Sequence, residues 1–135
     1  MSIRESFARH GWAAAGLIGL VLCAAADGSW LKHVPESYRK LTNPYAGQSD
    51  AVTGGARLFA EHCAACHGED AGGRGKKPSL RSTRVQQAAD GELFWLLKNG
   101  NLSRGMPTWS ALPEQSRWQI IAYVKSLGSQ GRDEQ

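Results

Sequence analysis

Cys63-Ala64-Ala65-Cys66-His67 constrains this chain more than any other feature of its sequence. The pattern is C-x-x-C-H, which reads as a c-type haem attachment site. Two thiols one helical turn apart can add to the two vinyl groups on one edge of a haem. The adjacent His67 is then placed under the iron as its proximal ligand. Two other chemistries use paired cysteines. A thioredoxin-type C-x-x-C expects a βαβ setting, and no strand-like run lies near. A tetrahedral zinc site needs a fourth ligand; His62 is on offer but abuts the same turn. The third cysteine, Cys23, lies in an apolar N-terminal run. If that run is removed and both motif thiols carry haem, no free thiol and no disulfide remain.

The aliphatic inventory points the same way. Leu, Ile, Val and Phe number 25 of 135 residues, and seven of them fall in the first 26. The 18 left from Asp27 onward make a thin core for a helical domain of that size. This argues against a large enzyme, a multi-pass membrane protein and a coiled coil. What remains is disorder, or a fold built around an apolar body that the sequence does not encode. A net charge of only +4 is far from that of a disordered polyelectrolyte. Five tryptophans also need somewhere to pack, so a cofactor-centred domain is the reading.

Residues 1–26 have the layout of an export signal. Arg4 and Arg9 form a positive start, and Gly11 to Ala26 is 16 residues without a charge. Ala24-Ala25-Ala26 then gives the small-residue cleavage pattern, with Asp27 directly after it. The run spans about 24 Å as a helix, short of the roughly 30 Å hydrocarbon core. The alternative is an uncleaved anchor flanked by Trp12 and Trp30 as interface residues. A lipoprotein reading of Cys23 is disfavoured by Leu22, which stands where small residues are usual.

Beyond the initiator, Met106 is the only methionine. It sits in Gly105-Met106-Pro107, between two helical patterns. A solvent-exposed side chain is one reading. Axial ligation is the better one, because Met opposite His raises the reduction potential and suits electron transfer.

With these residues in place the sequence resembles the class I cytochromes c, in their short bacterial, mono-haem form. Gly55 lies eight residues before Cys63 and Phe59 four before it. The family shows a small residue and an aromatic there, where its first helix crosses its last. Ile120-Ile121-Ala122-Tyr123-Val124-Lys125 resembles the family's final-helix motif. Pro78-Ser79-Leu80 is similar to its P-x-L, whose proline carbonyl accepts the hydrogen bond of the proximal histidine. His67 and Met106 lie 39 residues apart, as in the short members. The resemblance covers roughly Ala51 to Gly128. It implies an all-α fold, three core helices plus loops wrapped around one covalently bound haem c. It also implies Cys63, Cys66, His67, Met106 and Pro78 as cofactor-binding residues, with His67 and Met106 on the iron.

Pattern and punctuation place the elements. Thr53 is the expected N-cap of a helix running to about Cys63. Gly68 to Lys77 is loop. Asp90-Gly91-Glu92 opens a second helix, whose Leu93, Phe94, Leu96 and Leu97 share a face and which Asn99-Gly100 ends. Leu112-Pro113-Glu114 starts the last helix, with Ile120, Tyr123, Val124 and Leu127 facing the core and Gly128 as its stop. Residues 27–50, Asn43-Pro44-Tyr45 among them, are an N-terminal segment outside the matched core. The cytochrome domain is 51–128, and 129–135 is a tail.

Several features carry the bland reading. Gly73-Arg74-Gly75-Lys76-Lys77-Pro78 lacks the third glycine of a dinucleotide fingerprint and the Lys-Ser/Thr of a phosphate loop. Arg74, Lys76, Lys77, Arg81 and Arg84 place five positive charges in 11 residues without an acid. They read as a solvated face, or as a docking patch for an acidic redox partner; nucleic acid does not suit an exported haem protein. His33 and His62 are expected to face solvent. Trp95 and Trp109 either donate an indole N–H to a haem propionate or simply pack on the haem edge.

The function these readings converge on is an exported, periplasmic single-electron carrier between larger redox proteins. With both axial positions filled it has no open site, and is not an enzyme. A second reading makes it the haem subunit of a dehydrogenase or terminal-reductase complex, held there by residues 27–49; in either reading the protein is membrane-associated if residues 1–26 are retained. A third takes Met106 as labile, opening the iron to peroxide or a gas.

Overall fold

The computed structural model describes residues 28–130. The predicted export segment and the last five residues lie outside that range. All regular structure among the described residues is helical, apart from two isolated bridges, Arg74 with Lys77 and Asn101 with Met106. The α-helices are α1 (Glu36–Arg39), α2 (Ser49–His62), α3 (Ala64–His67), α4 (Thr83–Gln87), α5 (Asp90–Asn99) and α6 (Glu114–Gln130). Short 3-10 turns occupy Gly28–His33 and Leu102–Arg104. None of these helices is long and apolar enough to cross a membrane.

Three helices make the core, as expected. Along α2 the buried residues are Ala51, Gly55 and Phe59, spaced by four and so on one face. That face lies across α6. A Cβ on Gly55 would sit 1.9 Å from the carbonyl oxygen of Gln119 and 2.9 Å from Cβ of Tyr123, so only glycine lets the two backbones come this close. Beside it the rings of Phe59 and Tyr123 meet at 5.3 Å. Helix α5 supplies Leu93, Phe94 and Leu97, and Phe94 stacks on Trp118 of α6 at 4.1 Å.

Two sequence expectations need correction. Helix α2 begins at Ser49, not after Thr53, because Gln48 takes the extended N-cap conformation and its carbonyl accepts the N–H of Val52 at 3.0 Å. Gly128 does not end α6, which runs on to Gln130. Its missing side chain serves packing instead, since a Cβ there would meet Oε1 of Gln86 at 2.2 Å.

Residues 28–47 are a strap packed on the core. Asn43 is buried; its Nδ2 donates to the carbonyl of Trp118 at 2.8 Å, and its N–H donates to Asp90 at 3.2 Å. Arg39 pairs with the buried carboxylate of Glu92, and Tyr38 stacks beside Phe94 at 6.4 Å. Glu92 also accepts the N–H of Ala89 at 2.9 Å, so it fixes both the strap and the start of α5.

Candidate haem site

The attachment motif is a turn of helix. Cys63 closes α2, its N–H donating to Phe59 at 2.8 Å, and its own carbonyl accepts Cys66 at 3.1 Å and His67 at 2.9 Å. Cys63 and Cys66 are therefore presented from one short turn. Cys63 is half-buried and Cys66 exposed. Burial, with a smaller contribution from Cys66, pushes the Cys63 thiol up to about 11, so it is neutral at ordinary pH.

His67 is half-buried, and its Nδ1 lies 2.9 Å from the carbonyl oxygen of Pro78. A carbonyl only accepts, so Nδ1 carries the proton and Nε2 is left with a free lone pair. Such an outer partner fixes the tautomer and ring direction of a metal-ligating histidine. The loop between them is held to deliver that carbonyl. Gly73 donates to the carbonyl of His67 at 2.7 Å, and Leu80 donates to that of Ala71 at 2.8 Å. Ala71, fully buried, is the one described non-glycine residue with a positive φ, at 59°. That conformation costs roughly 1–2 kcal/mol for a residue with a Cβ. The fold spends it to bring Pro78 back over His67.

Met106 is half-buried against the core cluster. Its N–H and carbonyl both pair with Asn101, at 3.0 and 2.9 Å, closing a six-residue loop in which Gly105 takes the left-handed conformation at φ 76°. Beyond it, Trp109 donates its backbone N–H to Leu97 at 2.8 Å. A further link ties the two sides of the site: the Lys77 ammonium donates to the carbonyl of Arg104 at 3.2 Å. The loop after His67 and the loop carrying Met106 are thus joined.

His62 does not face solvent as expected. It is half-buried, with its ring 5.4 Å from that of Trp109. Trp109 accordingly packs against the end of α2. Of the basic run, Arg74, Lys76, Arg81 and Arg84 are exposed; Lys77 reaches the Met106 loop, and the Arg84 side chain passes beside Gly28 of the strap. Among the described residues no three His, Cys, Asp or Glu side chains converge as a metal cluster, so the zinc alternative lacks its ligands.

The donor set fits a haem held through two thioethers: two thiols on one turn and an imidazole with one nitrogen tied back. A thioether on a pinned loop completes it. The sequence reading missed Arg117, which is buried against the ring of Phe94 and donates to the carbonyls of Trp109, Ser110 and Leu112. Its signal was register: residue 117 precedes the buried Ile121 and Val124 by four and seven, a core position occupied by a cation.

Comparison with known proteins decides the family. A family model described as cytochrome c oxidase, cbb3-type, subunit III matches residues 50–124, more than half of the chain. The chain belongs to this family of c-type cytochromes. Members bind covalently attached haem c, and Cys63, Cys66 and His67 fit the attachment motif. The cytochrome is 40% identical over 87 residues to the CcoP subunit of a cbb3-type cytochrome c oxidase from Rhodobacter capsulatus, covering 57% of this chain and 29% of the relative. It is 29% identical over 101 residues to the FixP subunit from Azorhizobium caulinodans, covering 73% of this chain and 34% of the relative. The cytochrome thus spans only about a third of the length of the curated relatives it matches. Among solved structures it is similar to cytochrome cL from the marine methylotroph Methylophaga aminisulfidivorans. The TM-score is 0.56 at 30% identity, over 63% of this chain and 58% of that one. The cytochrome is an electron-transfer haem protein with the small all-α fold of its family.

Proposed function

We propose that this cytochrome is an exported one-electron carrier whose iron is held by His67 and Met106, with no position left for substrate. Cys63 and Cys66 hold the porphyrin, and Pro78 orients His67. The observation that carries the reading is the 2.9 Å contact between His67 Nδ1 and the Pro78 carbonyl, which leaves Nε2 as a ready ligand. Bound there, the haem supplies a ferric/ferrous couple that passes single electrons. The protein's part is to keep both ligands in place in either state. The pinned backbone on each side of Met106 supports that role, because little has to move when the charge changes.

The exposed Arg74 and Lys76, with Lys77 beside the Met106 loop, favour an acidic redox partner. The second reading is a haem subunit of a larger oxidase complex. The similarity to CcoP and FixP favours it, and residues 1–26 would then anchor the domain. Potentiometric titration of the purified cytochrome tests the carrier reading. One reversible wave with one electron per haem supports it. A wave that shifts strongly on adding peroxide, with turnover of the peroxide, would refute it.

A further inference from the structure

We infer that Arg117 is a positioning residue for Met106: it clamps the chain between Pro107 and Leu112 onto α5 and α6 and so holds the thioether where it can bind. The inference rests on the reading of Met106 as an iron ligand.

Residues 107–112 form no regular structure, so their carbonyls must find donors elsewhere. Arg117 supplies them. Its Nη1 donates to the carbonyls of Leu112 at 2.5 Å, Ser110 at 3.1 Å and Trp109 at 3.4 Å. The guanidinium carbon lies 5.0 Å from the centre of the Phe94 ring, a cation–π contact that ties the same group to α5. Only 7% of Arg117 is exposed, no carboxylate pairs with it among the described residues, and its Nε has no hydrogen-bond partner. An unpaired buried cation is expensive, and a core built for stability alone would carry an apolar side chain here. What Arg117 holds is the return path of the Met106 loop. Upstream, Met106 is pinned by both hydrogen bonds to Asn101. Downstream, Trp109 is pinned through its N–H to Leu97 and through its carbonyl to Arg117. Met106 therefore sits on a short span between two fixed points, and Arg117 secures the second. A lysine would keep the charge and some carbonyl contacts but would lose the flat stacking on Phe94.

Imidazole binding to the ferric holoprotein at neutral pH tests this. Imidazole must displace Met106, so its apparent affinity rises with the fraction of molecules whose thioether has let go. Arg117→Met is expected to bind imidazole at least tenfold more tightly than wild type and to weaken the thioether–iron charge-transfer band. Arg117→Lys is expected to fall between the two, at threefold or more, and carries the comparison if Arg117→Met yields little holoprotein. Gly55→Ala weakens the fold at the α2–α6 crossing and is expected to leave imidazole affinity within twofold. Arg117 variants with wild-type affinity and an intact band would overturn the proposal. So would an equal rise in Gly55→Ala, which would mark the effect as general loosening. A wild-type protein without the thioether band overturns the ligand assignment itself, and the clamp with it.

Discussion

Replacing Gly55 by alanine drives a methyl group into the α2–α6 crossing. The added Cβ would lie 1.9 Å from the Gln119 carbonyl oxygen and 2.6 Å from its carbon, against 3.4 Å for ordinary contact. Those atoms are helix backbone and cannot rotate away. The helices must part locally by the difference, about 1.5 Å, and the interior is too densely packed to absorb that. Phe59 and Ile121, fully buried beside the crossing, then lose part of their dispersion contacts. Overpacking of this kind costs about 1–3 kcal/mol. Alanine is the better helix former by about 0.8–1.0 kcal/mol, which offsets part of the loss. The net expectation is a destabilisation of up to about 2 kcal/mol, and more for Gly55→Val, whose branched side chain gains less in propensity. Denaturant unfolding of the holoprotein, followed by far-UV circular dichroism, reads this as a lower midpoint at unchanged slope. A midpoint above wild type for Gly55→Ala would refute the reasoning, because propensity alone would then govern the site.

Met106→Ala should abolish the thioether–iron band, open the iron to added ligands and lower the reduction potential, since a soft thioether favours the ferrous state; spectroelectrochemistry checks all three. Asn43→Ala removes the buried donor to Trp118 and the acceptor for the N–H of Tyr45, and should cost about 1–3 kcal/mol by the same unfolding assay. The paired change Arg74→Glu with Lys76→Glu should slow reduction by an acidic protein donor about tenfold at low salt, with an unchanged haem spectrum. Stopped-flow rates at several ionic strengths measure it, and equal salt slopes would remove the docking role.

What could be read from the sequence was what chemistry confines to a short stretch. The spacing of Cys63, Cys66 and His67 is local, and one turn of helix delivers it intact. Met106 was found because the chain offers no other thioether. Helix α5 was legible because Leu93, Phe94 and Leu97 repeat at its period between Asp90 and Gly100. Contacts between distant segments were not legible. Asn43 and Arg39 look like ordinary polar residues of a leading segment until Trp118 and Glu92 come to meet them. Gly128 reads as a helix stop because that is its commonest role; only the approach of Gln86, remote in sequence, shows it serving close packing. His62 reads as solvent-facing in the sequence, yet Trp109 packs against its ring. Arg117 is not legible for a related reason: a cation ordinarily faces water, and its burial depends on Phe94 and on the carbonyls of Trp109, Ser110 and Leu112.

Carbon monoxide binding to the reduced protein at neutral pH tests the central claim most directly. A ferrous iron held by both His67 and Met106 offers no open position. The predicted result is an absorption spectrum unchanged on saturation with the gas in wild type, and a ready shift in Met106→Ala. A stoichiometric carbon monoxide complex in wild type at neutral pH would contradict the account: the sixth position would be open, and the protein would be built to bind or transform a ligand there.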